Sequence, residues 1–383
     1  MSFFNRMNVY GFLIYIFLSI FNNFGERNYS NILSYNQTYI EQIIGLLIFW
    51  LTSIWILLKD RKSNFKIEQP FLFFFASIIL SSILSFELYS TFFSIIFCIN
   101  LLLIAEIFEH KIVDIKKSLF FFSMLIFGIL YYHLIVFGVD YFAGRWVGNF
   151  KPNNIALIAF LSMVLIFFSS QHKYYRLLSL ILFLIIDVLV IARGALVASI
   201  IFLFSYYANY SFFNKKMNSF TNLFIIAIVI IFITTNLFYN DLMFYIKGIV
   251  TYLDFTDPER GIGSGGTGRI ELWRSAIDVF KENPLFGVGL RNLSQSPHNG
   301  YLELLAQNGL VGFLAYFILV LGAFIKAAKI LKKDYVHEIN IAISFIISFL
   351  ALSMIERDLI NLASFLALTF YFFINFIYKY QLK

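Results

Sequence analysis

Residues 118–138 read SLFFFSMLIFGILYYHLIVFG. No Asp, Glu, Lys or Arg interrupts the run. A helix of that length rises about 30 Å, the thickness of a bilayer's hydrocarbon core. Lys111, Lys116 and Lys117 stand just before it. The same arrangement of apolar run and basic flank recurs along the chain, and the recurrence predicts membrane spans at 9–24, 40–58, 70–86, 88–108, 118–138, 154–170, 176–192, 194–212, 220–238, 308–329, 338–355 and 359–378. Two pairs are tightly joined: 70–86 and 88–108 break near Glu87, and 176–192 and 194–212 break at Arg193-Gly194. The fold class expected is an all-α polytopic membrane protein with about twelve spans. Residues 1–383 form a single transmembrane domain, with one large loop, 239–307, that carries short helices.

Composition agrees. Of the 383 residues 60% are hydrophobic and 13% charged, where a soluble domain carries about 25% charged. Fifty phenylalanines suit lipid-facing helices. A lone cysteine, Cys98, excludes an intrachain disulfide framework and a two-cysteine redox motif. Arg6 precedes an apolar stretch from Val9 to Phe21, but Asn22, Asn23 and Phe24 follow instead of a small-residue cleavage site, so this segment reads as a retained first span. No sequence repeat and no low-complexity linker stands out.

Basic residues give an orientation. With the N-terminus in the cytoplasm, the inner segments hold Arg6, Lys59, Arg61, Lys62, Lys66, Lys111, Lys116, Lys117, Lys173, Arg176, Lys215, Lys216, Lys326, Lys329, Lys332, Lys333, Lys379 and Lys383, which is 18 of the 29 basic residues. Both termini are then cytoplasmic. The net charge of +7 therefore reflects topology and not a nucleic-acid partner. The outer side holds Lys151, Lys247 and Lys281 but eight arginines: Arg27, Arg145, Arg193, Arg260, Arg269, Arg274, Arg291 and Arg357. Topology explains the inner lysines and leaves the outer arginines unexplained. Arginine is selected where a planar fork grips phosphate or carboxylate. The plainer alternatives are ion pairs with Asp or Glu and snorkelling anchors at helix ends.

The long loop between the ninth and tenth spans is the place to look for function. Gly263, Gly265 and Gly268 spell a GxGxxG pattern, yet no strand precedes it and no Lys-Ser/Thr follows, so it is neither a dinucleotide site nor a P-loop. It reads as a turn feeding a helix. That helix, 269–282, is amphipathic, with Ile270, Trp273, Ile277 and Phe280 on one face, and Asn283-Pro284 stops it. Such a helix lies along the membrane surface or docks on the bundle. Arg269 falls in its first turn, where its charge opposes the helix dipole unless an anion neutralises both. Among the five histidines, His298 alone lies in the outer loop, just before a further predicted helix at 299–307. A lone histidine is usually structural. No second histidine or thiol stands at ligand spacing, so no metal site and no cofactor is expected.

A compartment without nucleotides requires a substrate that carries its own activated bond. A polyprenyl-diphosphate sugar does. Arginines can neutralise its leaving group and a histidine can deprotonate an acceptor hydroxyl. At these residues the chain resembles the O-antigen ligase/polymerase superfamily. The resemblance runs through Gly144-Arg145-Trp-Val-Gly148 with Lys151-Pro-Asn-Asn154, Ala192-Arg193-Gly194-Ala195, Gly268-Arg-Ile-Glu-Leu-Trp273, Asn283-Pro-Leu-Phe-Gly287-Val-Gly289, and His298-Asn-Gly-Tyr-Leu302 followed by Gly309-Leu-Val-Gly312. It implies a metal-independent, inverting membrane glycosyltransferase in the bacterial inner membrane. Its donor is an undecaprenyl-diphosphate glycan and its acceptor a lipid A-core hydroxyl. The resemblance further implies Arg145, Arg193 and Arg269 around the diphosphate and His298 at the acceptor. Arg357, between Glu356 and Asp358, and Arg274, facing away from Arg269, are further candidates.

Two alternatives stand beside the ligase reading. A repeat-unit polymerase shares the donor chemistry and takes a second lipid-linked glycan as acceptor. A flippase or transporter of lipid-linked oligosaccharide would place its binding groups near the membrane midplane. Asp187 lies inside a span, where a carboxylate is costly unless paired.

Overall fold

The structure is a computed structural model, and it describes residues 7–21, 32–59, 67–107, 112–137, 141–142, 145–146, 152–170, 172–190, 192–214, 269–356, 359–361 and 364–381. Within these the helices are α1 (Met7–Phe21), α2 (Ile32–Lys59), α3 (Gln69–Leu84), α4 (Leu88–Glu106), α5 (Ile112–Phe137), α6 (Pro152–Ser169), α7 (Lys173–Val190), α8 (Arg193–Asn214), α9 (Arg269–Glu282), α10 (Gly300–Lys333), α11 (His337–Leu352) and α12 (Phe365–Lys379). Two short strands, β1 (Tyr141–Phe142) and β2 (Arg145–Trp146), pair antiparallel between α5 and α6, and apart from this hairpin the elements among the described residues are helices, as expected.

Eleven of the expected spans fall on helices, and the twelfth, 220–238, lies outside the described residues. Among the described residues four helical segments are long and apolar enough to cross a membrane: Leu88–Glu106, Ile115–His133, Gly194–Phe213 and Gly300–Lys333. The chain is thus a helical, multi-pass membrane protein. The last span needs correction, since its helix starts at Phe365 and not at 359. Ser364 caps it by accepting a hydrogen bond from the Ala367 N–H, and Leu359 stays in a turn whose carbonyl accepts from the Tyr371 hydroxyl at 2.8 Å.

Hydropathy alone does not say which helices face lipid; packing does. Every residue from Ile155 to Phe168 in α6 and from Phe365 to Tyr378 in α12 is buried. A helix apolar all round and buried all round is a central one. The rings interlock there: Phe349 of α11 stacks on Phe370 of α12 at 4.5 Å, and Phe168 of α6 meets Phe373 at 5.1 Å. In contrast α2, α4, α8 and α10 expose Leu51, Phe92, Phe204 and Phe317. Buried serines return their hydroxyls to their own helix, as Ser162 does to the Ile158 carbonyl and Ser344 to the Asn340 carbonyl. These two hydroxyls are then not offered to hydrocarbon unpaired.

Polar contacts sort the helix ends into two sets. At one end Lys116 pairs with Glu338. Beside them Arg176 donates to the Tyr206 hydroxyl at 2.8 Å and lies 3.3 Å from His337, whose ring is 3.3 Å from the Phe167 carbonyl. The starts of α5, α7 and α11 thus meet the far halves of α6 and α8. These relative directions are the ones the lysine distribution implies. The opposite end carries the candidate site.

Candidate active site

The helix expected at 269–282 is found at Arg269–Glu282. Trp273 and Phe280 are half-buried and Ala276 is buried against the bundle, whereas Ile270 and Ile277 remain exposed. The docked stripe is therefore narrower than the apolar face the sequence suggests. Two bonds fix this helix. Arg269 Nη1 donates to the Ile355 carbonyl at 3.2 Å, and the Trp273 indole N–H donates to the Pro297 carbonyl at 2.9 Å. Ile355 belongs to the turn that ends α11, where unpaired carbonyls and the dipole favour a cation. Part of what offsets the Arg269 charge thus lies within the protein, and the rest of its fork stays available to an anion.

After Asn283-Pro284 the chain enters a break in α10. Gly309 has φ +63 inside that helix. The N–H groups of Leu310 and Val311 turn from their own helix to the carbonyls of Pro284 (2.8 Å) and Leu285 (3.1 Å). In exchange the carbonyls of Ala306 and Gln307 accept from Val288 (3.0 Å) and Gly289 (2.8 Å). The segment 284–289 threads along the break and pairs the four backbone groups that two lost helical bonds leave free, the condition for irregular backbone inside a membrane protein. Gly287, at φ +69, has no room for a side chain, since a Cβ would lie 2.5 Å from the Gln307 carbonyl. From α3, Ser81 donates to the carbonyls of Phe286 and Gln307, so the thread is also tied to its neighbour. The separate helix expected at 299–307 and the span from 308 are accordingly found as two helical stretches that meet at a kink, at Gly309.

His298 follows this thread. Its φ is +48, a left-handed conformation costing a residue with a Cβ roughly 1–2 kcal/mol. The strain is held from both sides. Pro297 is tied to Trp273, and Asn299 caps α10 by accepting from the N–H groups of Tyr301 (3.0 Å) and Leu302 (3.1 Å). The next residue, Gly300, donates its N–H to the Ser353 and Glu356 carbonyls at 2.8 and 2.9 Å. A Cβ there would stand 2.7 Å from Leu359 Cγ. The imidazole is exposed at the head of this junction.

The turn at 352–356 is the meeting point. Arg269 bonds to it, the segment of His298 docks on it, and a Cβ on Gly194 would lie 3.4 and 3.5 Å from the side chains of Ile355 and Leu352. Arg193 opens α8 beside Gly194, so its backbone comes to the same turn. The hairpin strand containing Arg145 packs on α7, the helix leading into Arg193. Arg274 lies on the exposed side of α9, and Arg357 lies outside the described residues. Asp187 in the last turns of α7 is 5% exposed, and its Oδ1 accepts no hydrogen bond among the described residues. Among the described residues no three His, Cys, Asp or Glu side chains gather as a metal centre would need.

Residues 178–317 match the family model described as O-antigen ligase. The match takes in most of α7, all of α8 and α9, the thread and the broken part of α10, hence Arg193, Arg269 and His298 together. Over that stretch, rather more than a third of its length, the chain is similar to the O-antigen ligase family. An uncharacterized protein of Haemophilus influenzae is 29% identical over 92 residues, covering 19% of this chain and 22% of that protein. The chain thus spans about a fifth of the length of the curated relative it matches. Arg145 and Arg357 lie outside the O-antigen ligase match.

Several residues that build this domain carry no chemical signal in the sequence. Trp273 reads as an apolar position, and its tether role rests on the indole N–H. Ser81, Ser82, Ser85 and Ser90 read as incidental hydroxyls in a hairpin. In the structure Ser81 holds the thread, and Ser82 accepts from the Leu290 N–H at 3.4 Å. The recurrence of serine on both sides of the Glu87 break is the one hint.

Proposed function

We propose that this protein is a membrane glycosyltransferase of the O-antigen ligase type, working at the outer face of a bacterial inner membrane with both termini in the cytoplasm. The observation that carries the reading is the gathering of Arg269, the start of α8 at Arg193 and the segment of His298 around the single turn that ends α11. A diphosphate between Arg193 and Arg269 would place a sugar's anomeric carbon within reach of an acceptor held at His298. Arg145 completes the diphosphate shell, and Arg357 and Arg274 are its outlying members. His298 takes the proton from the acceptor hydroxyl. That oxygen bonds to the anomeric carbon with inversion as the carbon–phosphate oxygen bond breaks, and undecaprenyl diphosphate leaves with its charge neutralised by guanidinium groups instead of a metal ion.

The proposed topology has twelve spans, including 220–238, with 239–307 outside. A lipid A-core hydroxyl is the proposed acceptor, and the polymerase differs only in taking a second lipid-linked glycan. The test is reconstitution in liposomes with an undecaprenyl-diphosphate glycan and each acceptor, read by gel shift of the product. His298→Ala should lose turnover and keep donor binding, while Arg193→Ala and Arg269→Ala should weaken donor binding. Full product formation by His298→Ala, or transport of the donor without any transfer, would overturn the assignment in favour of a flippase.

A further inference from the structure

Arg291 lies between the thread and His298 and takes no part in the arrangement described above. Its backbone is left-handed, φ +61, a conformation that suits glycine and strains arginine. The strain is imposed by a specific bond. The Arg291 N–H donates to Gln307 Oε1 at 3.0 Å, and Gln307 is in turn oriented by donating to Glu303 at 3.1 Å. The guanidinium is thereby laid over the Phe93 ring, 4.5 Å from its centroid. It has no hydrogen-bond or ion-pair acceptor among the described residues. A planar cation is held by Gln307 and Phe93, from two helices, with its fork unpaired among the described residues. Such a group is prepared for an anion that arrives with a ligand.

Its surroundings say which kind of ligand. Phe86, Tyr89 and Phe92, at the α3–α4 turn beside it, are 91%, 59% and 59% exposed. In a membrane chain this is a surface toward lipid at the headgroup level. Gln307 lies seven residues along α10 from Gly300, roughly 10 Å at 1.5 Å per residue. The residue that holds the Arg291 backbone is thus about 10 Å along α10 from the helix start that follows His298. A transferase joining two amphiphiles needs a second headgroup site at that distance.

We propose that Arg291, seated on Phe93, binds a phosphate of the acceptor amphiphile. The assignment rests on the transferase reading above and specifies its second substrate. A phosphorylated glycolipid and a second polyprenyl-diphosphate glycan both carry the required group.

The test uses Arg291→Gly, which removes the guanidinium and suits a left-handed backbone. In proteoliposomes with a fixed donor, acceptor KM should rise about 10–100-fold, the worth of one charge-assisted bond, with donor KM unchanged. Whichever acceptor, the phosphorylated glycolipid or the polyprenyl-diphosphate glycan, shows the rise identifies the source. A dephosphorylated acceptor should show no difference between the two proteins. A rise in donor KM, or an equal effect on phosphorylated and dephosphorylated acceptors, overturns the proposal. Binding gives a readout that does not depend on turnover. In detergent, a short-chain phosphatidic acid should bind the intact protein at least tenfold more tightly than Arg291→Gly, and diacylglycerol should not discriminate. Equal binding of phosphatidic acid overturns the proposal. Loss of all transfer by the unaltered protein, with this binding difference intact, overturns the transferase reading alone.

Discussion

Gly309→Ala tests whether the thread along the break in α10 holds this end of the protein together. At φ +63 an alanine costs about 1–2 kcal/mol from its backbone alone. Its Cβ would also lie 2.3 Å from the Leu285 carbonyl oxygen, 2.4 Å from its carbon and 2.5 Å from the Phe286 nitrogen. These are backbone atoms, so no side-chain rotation relieves the overlap and the thread must withdraw. Withdrawal breaks at least the bonds from Leu310 to Pro284 and from Val311 to Leu285. Each buried group left without a partner costs about 1–3 kcal/mol. With the two N–H groups left unpaired the sum is roughly 3–8 kcal/mol, a large share of the stability of any domain. The assay is reversible unfolding in mixed detergent and SDS micelles, followed by tryptophan fluorescence. The control is Gly128→Ala, where nothing lies within 4 Å of the added methyl; helix propensity should raise stability there by about 0.5–1 kcal/mol. If Gly309→Ala unfolds at the midpoint of the parent protein while the control behaves as expected, the threaded break is not what holds this end of α10.

Other expectations follow from single contacts. Trp273→Phe keeps the ring and deletes the donor to the Pro297 carbonyl; it should destabilise by about 1–3 kcal/mol and lower turnover more than donor binding, measured by SDS unfolding and product formation. His298→Gly should separate strain from chemistry: stability rises by up to about 1–2 kcal/mol as the left-handed strain is relieved, while turnover falls by roughly 10²–10⁴-fold. A protein that becomes more stable and stays fully active would remove His298 from the reaction. At the opposite end Lys116 and Glu338 are 15% and 13% exposed, so Lys116→Met leaves a carboxylate buried without its partner and should cost about 3–5 kcal/mol. The double variant Lys116→Met with Glu338→Leu should recover most of that in the same unfolding assay.

How much of this was legible beforehand can be judged residue by residue. The run at 118–138 announced a helix because only a helix satisfies its own backbone in hydrocarbon. The amphipathic pattern of 269–282 and its Asn283-Pro284 stop located α9 to the residue, since both signals are local. The lysines gave the relative directions of α5 to α8 and α11, because basic side chains resist crossing wherever they stand. The boundary at Phe365 was missed because Leu359 and Ile360 are as apolar as a span, and only the Ser364 cap and the Tyr371 bond to Leu359 show where helix begins.

Sequence by itself therefore determined that the chain crosses a membrane as helices and how α5 to α8 and α11 run relative to one another. Those properties depend on short stretches of chain and on the water-to-lipid transfer of their side chains. Tertiary structure decided that α6 and α12 are the centre, that the segment 284–289 pairs with a break in α10, and that Arg269, the start of α8 and the strained His298 meet at one turn of α11. Lipid and protein interior are equally apolar, so hydropathy has no means of telling a core helix from a peripheral one. Contacts between residues a hundred positions apart leave no trace in any window of sequence shorter than the distance that separates them.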